Sequence, residues 1–115
     1  MWGICFDTME CEGKIYPSEL FQRVIEYRIS EESADMACLI YPVKGVRIAV
    51  EKIRALDNPP RFTDGQLVSP VSHPEMAGVI RGIGWHFEKR EYMYFITVNG
   101  RKKSKRYYDN DLIRR

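Results

Sequence analysis

Between Glu91 and Tyr108 the chain reads EYMYFITVNGRKKSKRYY, a run rich in Tyr, Phe, Ile and Val joined at Asn99-Gly100 to a run rich in Lys and Arg. Asn-Gly tolerates the positive φ values of a two-residue type I′ turn, so the pattern predicts a hairpin. Pairing across it sets Val98 beside Arg101, Ile96 beside Lys103, Tyr94 beside Lys105 and Tyr92 beside Tyr107, with Phe95 facing Ser104 and Met93 facing Arg106. One ribbon is apolar and its partner cationic.

Upstream, Gly78 to Phe87 reads as a long strand, with Val79, Ile83, Trp85 and Phe87 on one face and Ile80, Gly82, Gly84 and His86 on the other. Its alternate glycines permit a bend or bulge. Arg61 to Val68 reads as a turn entering a strand, and Ser69 to Glu75 as a loop. Tyr108 to Leu112 reads as a single 3₁₀ turn whose Leu112 plugs the end.

In the first half, Trp2 to Phe6 is an apolar run suited to an edge strand or a plug. Pro17-Ser18-Glu19 carries helix-start chemistry, with Leu20, Phe21, Val24 and Ile25 on one helical face. Ile25 to Ile29 alternates with period two, so the change to strand falls near Val24 to Glu26. Met36 to Tyr41 and Val46 to Val50 form a second hairpin about Pro42-Val43-Lys44-Gly45, and Ile53 and Leu56 close the unit. Asp57-Asn58-Pro59-Pro60 is the natural linker, because residues preceding proline are pushed out of the helical region. The expected organisation is residues 1–57, an α+β or degenerate barrel-like unit with one short helix, and residues 58–115, a small β-barrel.

Phe62-x-x-Gly65-x-Leu67-Val68, then Gly78-Val79-Ile80-x-x-Ile83, an aromatic strand, a tight turn and a closing Asp111-Leu112 together resemble SH3-like barrels of the Tudor and KOW kind. The resemblance covers about Arg61 to Ile113, rests on spacing, and implies fold more than function. The NGRKKSKRYY phrase also looks like the ending of a group of short uncharacterised bacterial proteins, a likeness that carries no activity with it. The first half reads as a worn copy of the second, with Met36 to Tyr41, Gly45 and Leu56 answering Met93 to Val98, Gly100 and Leu112. A single α+β domain with one shared sheet is the plain alternative.

Charge divides the halves. Met1 to Asp57 carries seven basic and ten acidic residues, net −3, and Asn58 to Arg115 eleven basic and six acidic, net +5, so an anionic partner belongs to the second half. No apolar run approaches the ~20 residues of a membrane span, and the N-terminus lacks signal-peptide features, which implies a cytoplasmic protein with no membrane association. Cys5, Cys11 and Cys38 are an odd count without compact zinc-ligand spacing, so reduced thiols are expected.

Candidate binding residues are Arg101, Lys102, Lys103, Lys105 and Arg106 as phosphate-gripping cations, with Tyr107, Tyr108 and Trp85 as stacking platforms and His86 beside them. The plainer account of the cations is protection of an exposed edge strand, with their stems covering apolar surface. Trp85, Phe87, Tyr92, Tyr94, Tyr107 and Tyr108 also hold the ingredients of an aromatic cage for a cationic side chain, although aromatics in a small barrel commonly form its core. His73 and His86 are the only histidines and all three thiols lie in the other half; no catalytic, metal or cofactor motif is present. The sequence therefore favours a non-catalytic protein-interaction or scaffold module without cofactors. An RNA- or DNA-binding module acting through the basic hairpin is the alternative, and a small Cys/His enzyme the remaining one. Oligomeric state stays open.

Overall fold

The computed structural model describes residues 1–5, the backbone of residues 10–11 and 14–15, and residues 22–115. The chain divides into two compact units, unit 1 being Met1–Pro59 and unit 2 Pro60–Arg115. Each is built on a five-stranded antiparallel sheet. Among the described residues, the helical pieces are the single 3₁₀ turns Val50–Lys52 and Asp109–Asp111, and no helix is long and apolar enough to cross a membrane. The helix expected from Pro17 lies outside the described residues except at its end. There, Val24 and Ile25 begin a strand, because alternation buries Ile25 and Tyr27 in one core while Val24 is covered on the opposite face.

Unit 1 contains β1 (Trp2–Cys5), β2 (Glu10–Cys11), β3 (Lys14–Ile15), β4 (Val24–Ile29), β5 (Met36–Tyr41), β6 (Arg47–Ala49) and β7 (Ile53–Leu56). Its sheet runs β6-β5-β4-β1-β7, while β2 and β3 pair as a separate ribbon. The apolar run at the start is neither edge nor plug. β1 is paired on both sides, to β4 and to β7, and Ile4 and Cys5 are fully buried. Gly3 permits this position: a Cβ there would lie 2.8 Å from the Arg54 carbonyl oxygen and 2.7 Å from Ile53 Cγ2. The core gathers Cys5, Ile25, Tyr27, Leu39, Val46 and Ile48, and Ile53 caps it from the end of the 3₁₀ turn.

Unit 2 contains β8 (Leu67–Pro70), β9 (Gly78–His86), β10 (Glu91–Val98), β11 (Arg101–Lys102) and β12 (Leu112–Arg114), ordered β11-β10-β9-β8-β12. Both units obey one rule. The first strand of each main sheet lies between the second and the last, the third and fourth strands follow outward, and a 3₁₀ turn delivers the last. The counterpart of Leu112 is therefore Ile53 rather than Leu56, since each is the first residue beyond its 3₁₀ turn. In neither sheet do the two outermost strands pair with each other, so these are open sheets, not closed barrels.

The hairpin at Asn99-Gly100 forms with φ of 51° and 76°, and Val98 pairs with Arg101 and Thr97 with Lys102. Lys103 N–H donates to the Ile96 carbonyl at 2.9 Å. Beyond that point the expected register is overturned. Ser104, Lys105 and Arg106 leave the ladder, and Tyr94 pairs with Tyr107 instead of Lys105, through N–H to O bonds of 2.7 and 3.0 Å. Tyr107 is therefore not opposite Tyr92, whose partner on the other side of β10 is Trp85 of β9. The slip of two keeps every face unchanged while placing the Tyr107 ring, 6% exposed, where a lysine would have entered the core.

A bulge corrects the face assignment of β9. Ile83 pairs with Tyr94 and Ile80 with Ile96, so Arg81 and Gly82 together oppose Phe95. The extra residue reverses the alternation, and Ile80 and Ile83 both enter the core, with Val79 on the opposite face from Ile83. β8 runs on through Ser69 and Pro70, residues expected in a loop, because Leu112 and Ile113 pair with them.

Candidate binding groove on the C-terminal sheet

Alternation along β10 sends Tyr92, Tyr94 and Ile96 into the core of unit 2 and Met93, Phe95 and Thr97 to the other face. On that outer face β9 offers no side chains at Gly82 and Gly84. A Cβ at Gly82 would sit 3.5 Å from Phe95 Cδ2, and one at Gly84 would sit 3.2 Å from Met93 Cε and 3.6 Å from Phe95 Cε2. The half-buried Phe95 ring therefore lies over bare backbone. Beside it opens a groove of about 340 Å³ lined, among the described residues, by Phe95, Lys102, Lys103 and Ser104, with no carboxylate among these four. Lys102 reaches it from β11, and Lys103 and Ser104 from the point where the chain leaves the ladder.

The candidate residues separate into two groups. Lys102 and Lys103 share the groove, and Arg101, Lys105 and Arg106 are exposed beside it along the chain. Lys105 Nζ lies 5.2 Å from the centroid of the Tyr107 ring, whose body is buried. Trp85 and His86 pair with Tyr92 and Glu91 at the other end of β10, five residues from Thr97, the partner of Lys102, which is about 17 Å along a strand. Trp85 packs edge-on against Tyr92 at 5.1 Å. His86 meets Tyr108 at 6.2 Å and accepts a 3.0 Å hydrogen bond at Nδ1 from the Lys89 backbone N–H. Lys89 Nζ stands 4.4 Å over the Tyr108 ring.

The rings considered for a cage are thus apportioned differently: Tyr92, Tyr94 and Tyr107 belong to the core, and Tyr108 already carries a cation of its own chain. Burial, and then the charge of Asp109, push the Tyr92 phenol up to about 12; burial and its bond to Asp109 also raise Tyr94.

Phe95 and Ser104 were absent from the sequence-derived set. The signal that would have found Phe95 is the pair Gly82 and Gly84 on the neighbouring strand, which leaves an outward ring nothing but backbone to cover.

Comparison with known proteins adds one result. Residues 10–113 match the model of a single family, a span reaching from β2 into β12. The chain belongs to DUF6960, a family of unknown function. This DUF6960 match takes in strands of both units, including the four described residues that line the groove. No curated protein and no solved structure matches the chain.

Proposed function

We propose that this protein is a non-catalytic interaction module made of two SH3-like units, and that unit 2 holds an acidic protein segment in the groove beside Phe95. The strand order shared by both units, with a 3₁₀ turn before each closing strand, supports the SH3-like reading. One observation carries the assignment of the ligand: an aromatic ring resting on glycine backbone, flanked by two lysines and, among the described residues, no acid. An apolar anchor seats on Phe95 while neighbouring carboxylates meet Lys102 and Lys103. A single-stranded nucleic acid draws on successive stacking platforms along a cationic track. Here the described residues give the groove one ring, and Trp85 and Tyr108 are at the other end of β10.

The test is fluorescence anisotropy with an Asp/Glu-rich peptide carrying one Leu or Phe, set against a single-stranded oligonucleotide of similar charge. Phe95→Ala and the pair Lys102→Glu with Lys103→Glu are each expected to weaken peptide binding about tenfold or more. Tighter binding of the oligonucleotide, with a steep fall in affinity as salt rises, moves the assignment to nucleic acid. Undiminished peptide affinity in both variants removes the groove from the account.

A further inference from the structure

Residues directly opposite on neighbouring antiparallel strands share a face. In unit 1 the register sets Arg28 opposite Cys38 on β4 and β5, and Cys38 opposite Arg47 on β5 and β6. A thiol is thereby flanked by two guanidinium-bearing residues in one row across three strands. Together with Ser30, Glu31 and Glu32 they line a cavity of about 260 Å³. Cys38 is half-buried there, and Arg28 is exposed.

Arg47 is incompletely served. Its NH2 group lies 3.6 Å from Glu32 Oε2 and 3.5 Å from Ser30 Oγ, both longer than the 2.7–2.9 Å typical of a charge-assisted hydrogen bond. Its Nε is buried and has no acceptor among the described residues. Buried polar groups normally have partners, and leaving a charged donor without one is costly. The Glu32 side chain is 83% exposed, so solvent screens its pairing with Arg47.

We infer that this cavity binds an oxyanion, the phosphate or carboxylate group of a small ligand, between Arg28 and Arg47. The anion takes the place of Glu32 at the Arg47 NH2 group, Ser30 Oγ adds a donor, and Glu32 swings away into solvent. A volume of about 260 Å³ admits the anion and a few attached atoms but no folded partner. The site is separate from the groove of unit 2 and does not depend on the function proposed for it.

Cys38 provides the readout. The full-length protein is alkylated in parallel with iodoacetate, which is anionic, and iodoacetamide, which is neutral and of similar size, and Cys38 is followed by peptide mass spectrometry. The iodoacetate-to-iodoacetamide rate ratio is expected to exceed that of the urea-unfolded chain by about fivefold or more, to rise further in Glu32→Gln, and to collapse when Arg28→Gln and Arg47→Gln are combined. Inorganic phosphate and succinate, added separately, slow iodoacetamide labelling, and the one that protects at lower concentration identifies the class of anion. A ratio equal to the unfolded value in both the unaltered protein and Glu32→Gln overturns the inference, as does labelling that neither anion slows. Glu32→Gln keeps the test decisive if the double arginine variant fails to fold, because that side chain is exposed.

Discussion

The phenol of Tyr94 donates a 2.6 Å hydrogen bond to Oδ1 of Asp109 and accepts one of 2.9 Å from the Arg61 backbone N–H. Its ring is fully buried and meets Phe62 edge-on at 5.3 Å. One hydroxyl therefore ties β10 to the last 3₁₀ turn and to the segment that leads into β8. Tyr94→Phe keeps the ring and deletes both bonds, leaving Asp109 and the Arg61 N–H short of a partner. The expected loss is about 1–3 kcal/mol, read as a lower urea midpoint with unchanged slope. An unaltered midpoint would show that water replaces the hydroxyl at no cost.

Alkaline pH acts on the same tyrosines. Burial, followed by Asp109, raises Tyr92 to about 12 and raises Tyr94 as well, both from an unfolded value of 10.0. The native state thus holds its phenolic protons more tightly than the unfolded chain does. The resulting stability is fully present below pH ~10 and is lost as pH climbs through ~10 to ~12. Urea midpoints measured across that window should fall, and a flat profile would contradict the assignment. Asp109→Asn should reduce the rise at Tyr92 only in part, because burial is its larger cause.

Leu112 and Ile113 are neighbours with opposite fates. Leu112 is fully buried at the end of the unit 2 core, whereas Ile113 is 42% exposed. Leu112→Ala should cost about 2–5 kcal/mol, and Ile113→Ala should stay within about 0.5 kcal/mol. Comparable losses for the two, by urea denaturation, would mean that β12 does not close the sheet in this register.

Glycines on the two sheets should answer differently to a methyl group. At Gly3 the added carbon meets the Arg54 carbonyl at 2.8 Å, a backbone atom that cannot retreat without parting β1 from β7. Gly3→Ala should therefore destabilise by about 1–3 kcal/mol. At Gly82 the nearest atom stands at 3.5 Å, ordinary contact, so Gly82→Ala should leave thermal stability nearly unchanged while altering the surface beneath Phe95. Equal effects would place the crowding somewhere other than β1.

Local chemistry was legible along the chain; long-range register was not. Asn99-Gly100 announces its turn because few residues accept positive φ twice in succession, and Met36 to Tyr41 reads as a strand from its unbroken apolar run. The pairing of Tyr94 with Tyr107 was hidden, because a slip of two residues preserves the alternation from which register is inferred. β1 looked peripheral because its partners, β4 and β7, lie far along the sequence. The groove escaped notice for a related reason: Phe95 matters only once β9 and β10 are paired, which sets the ring over Gly82 and Gly84. Arg28, Cys38 and Arg47 are unremarkable in one dimension and adjacent only when three strands are aligned.

Every ladder of each five-stranded sheet closes inside its own unit, and both sheets follow the same ordering. A strand of one is thus a plausible impostor for its counterpart in the other, the hazard that repeated architectures carry when they assemble from a fully unfolded chain. Synthesis from the N-terminus removes the competition, since Leu56 completes the first ladder set before any residue of β8 exists. Dilution from denaturant restores it, with both sets of ribbons seeking mates at once. Yield after refolding in vitro should accordingly trail yield from the ribosome, by an amount that grows as the two cores are made more alike.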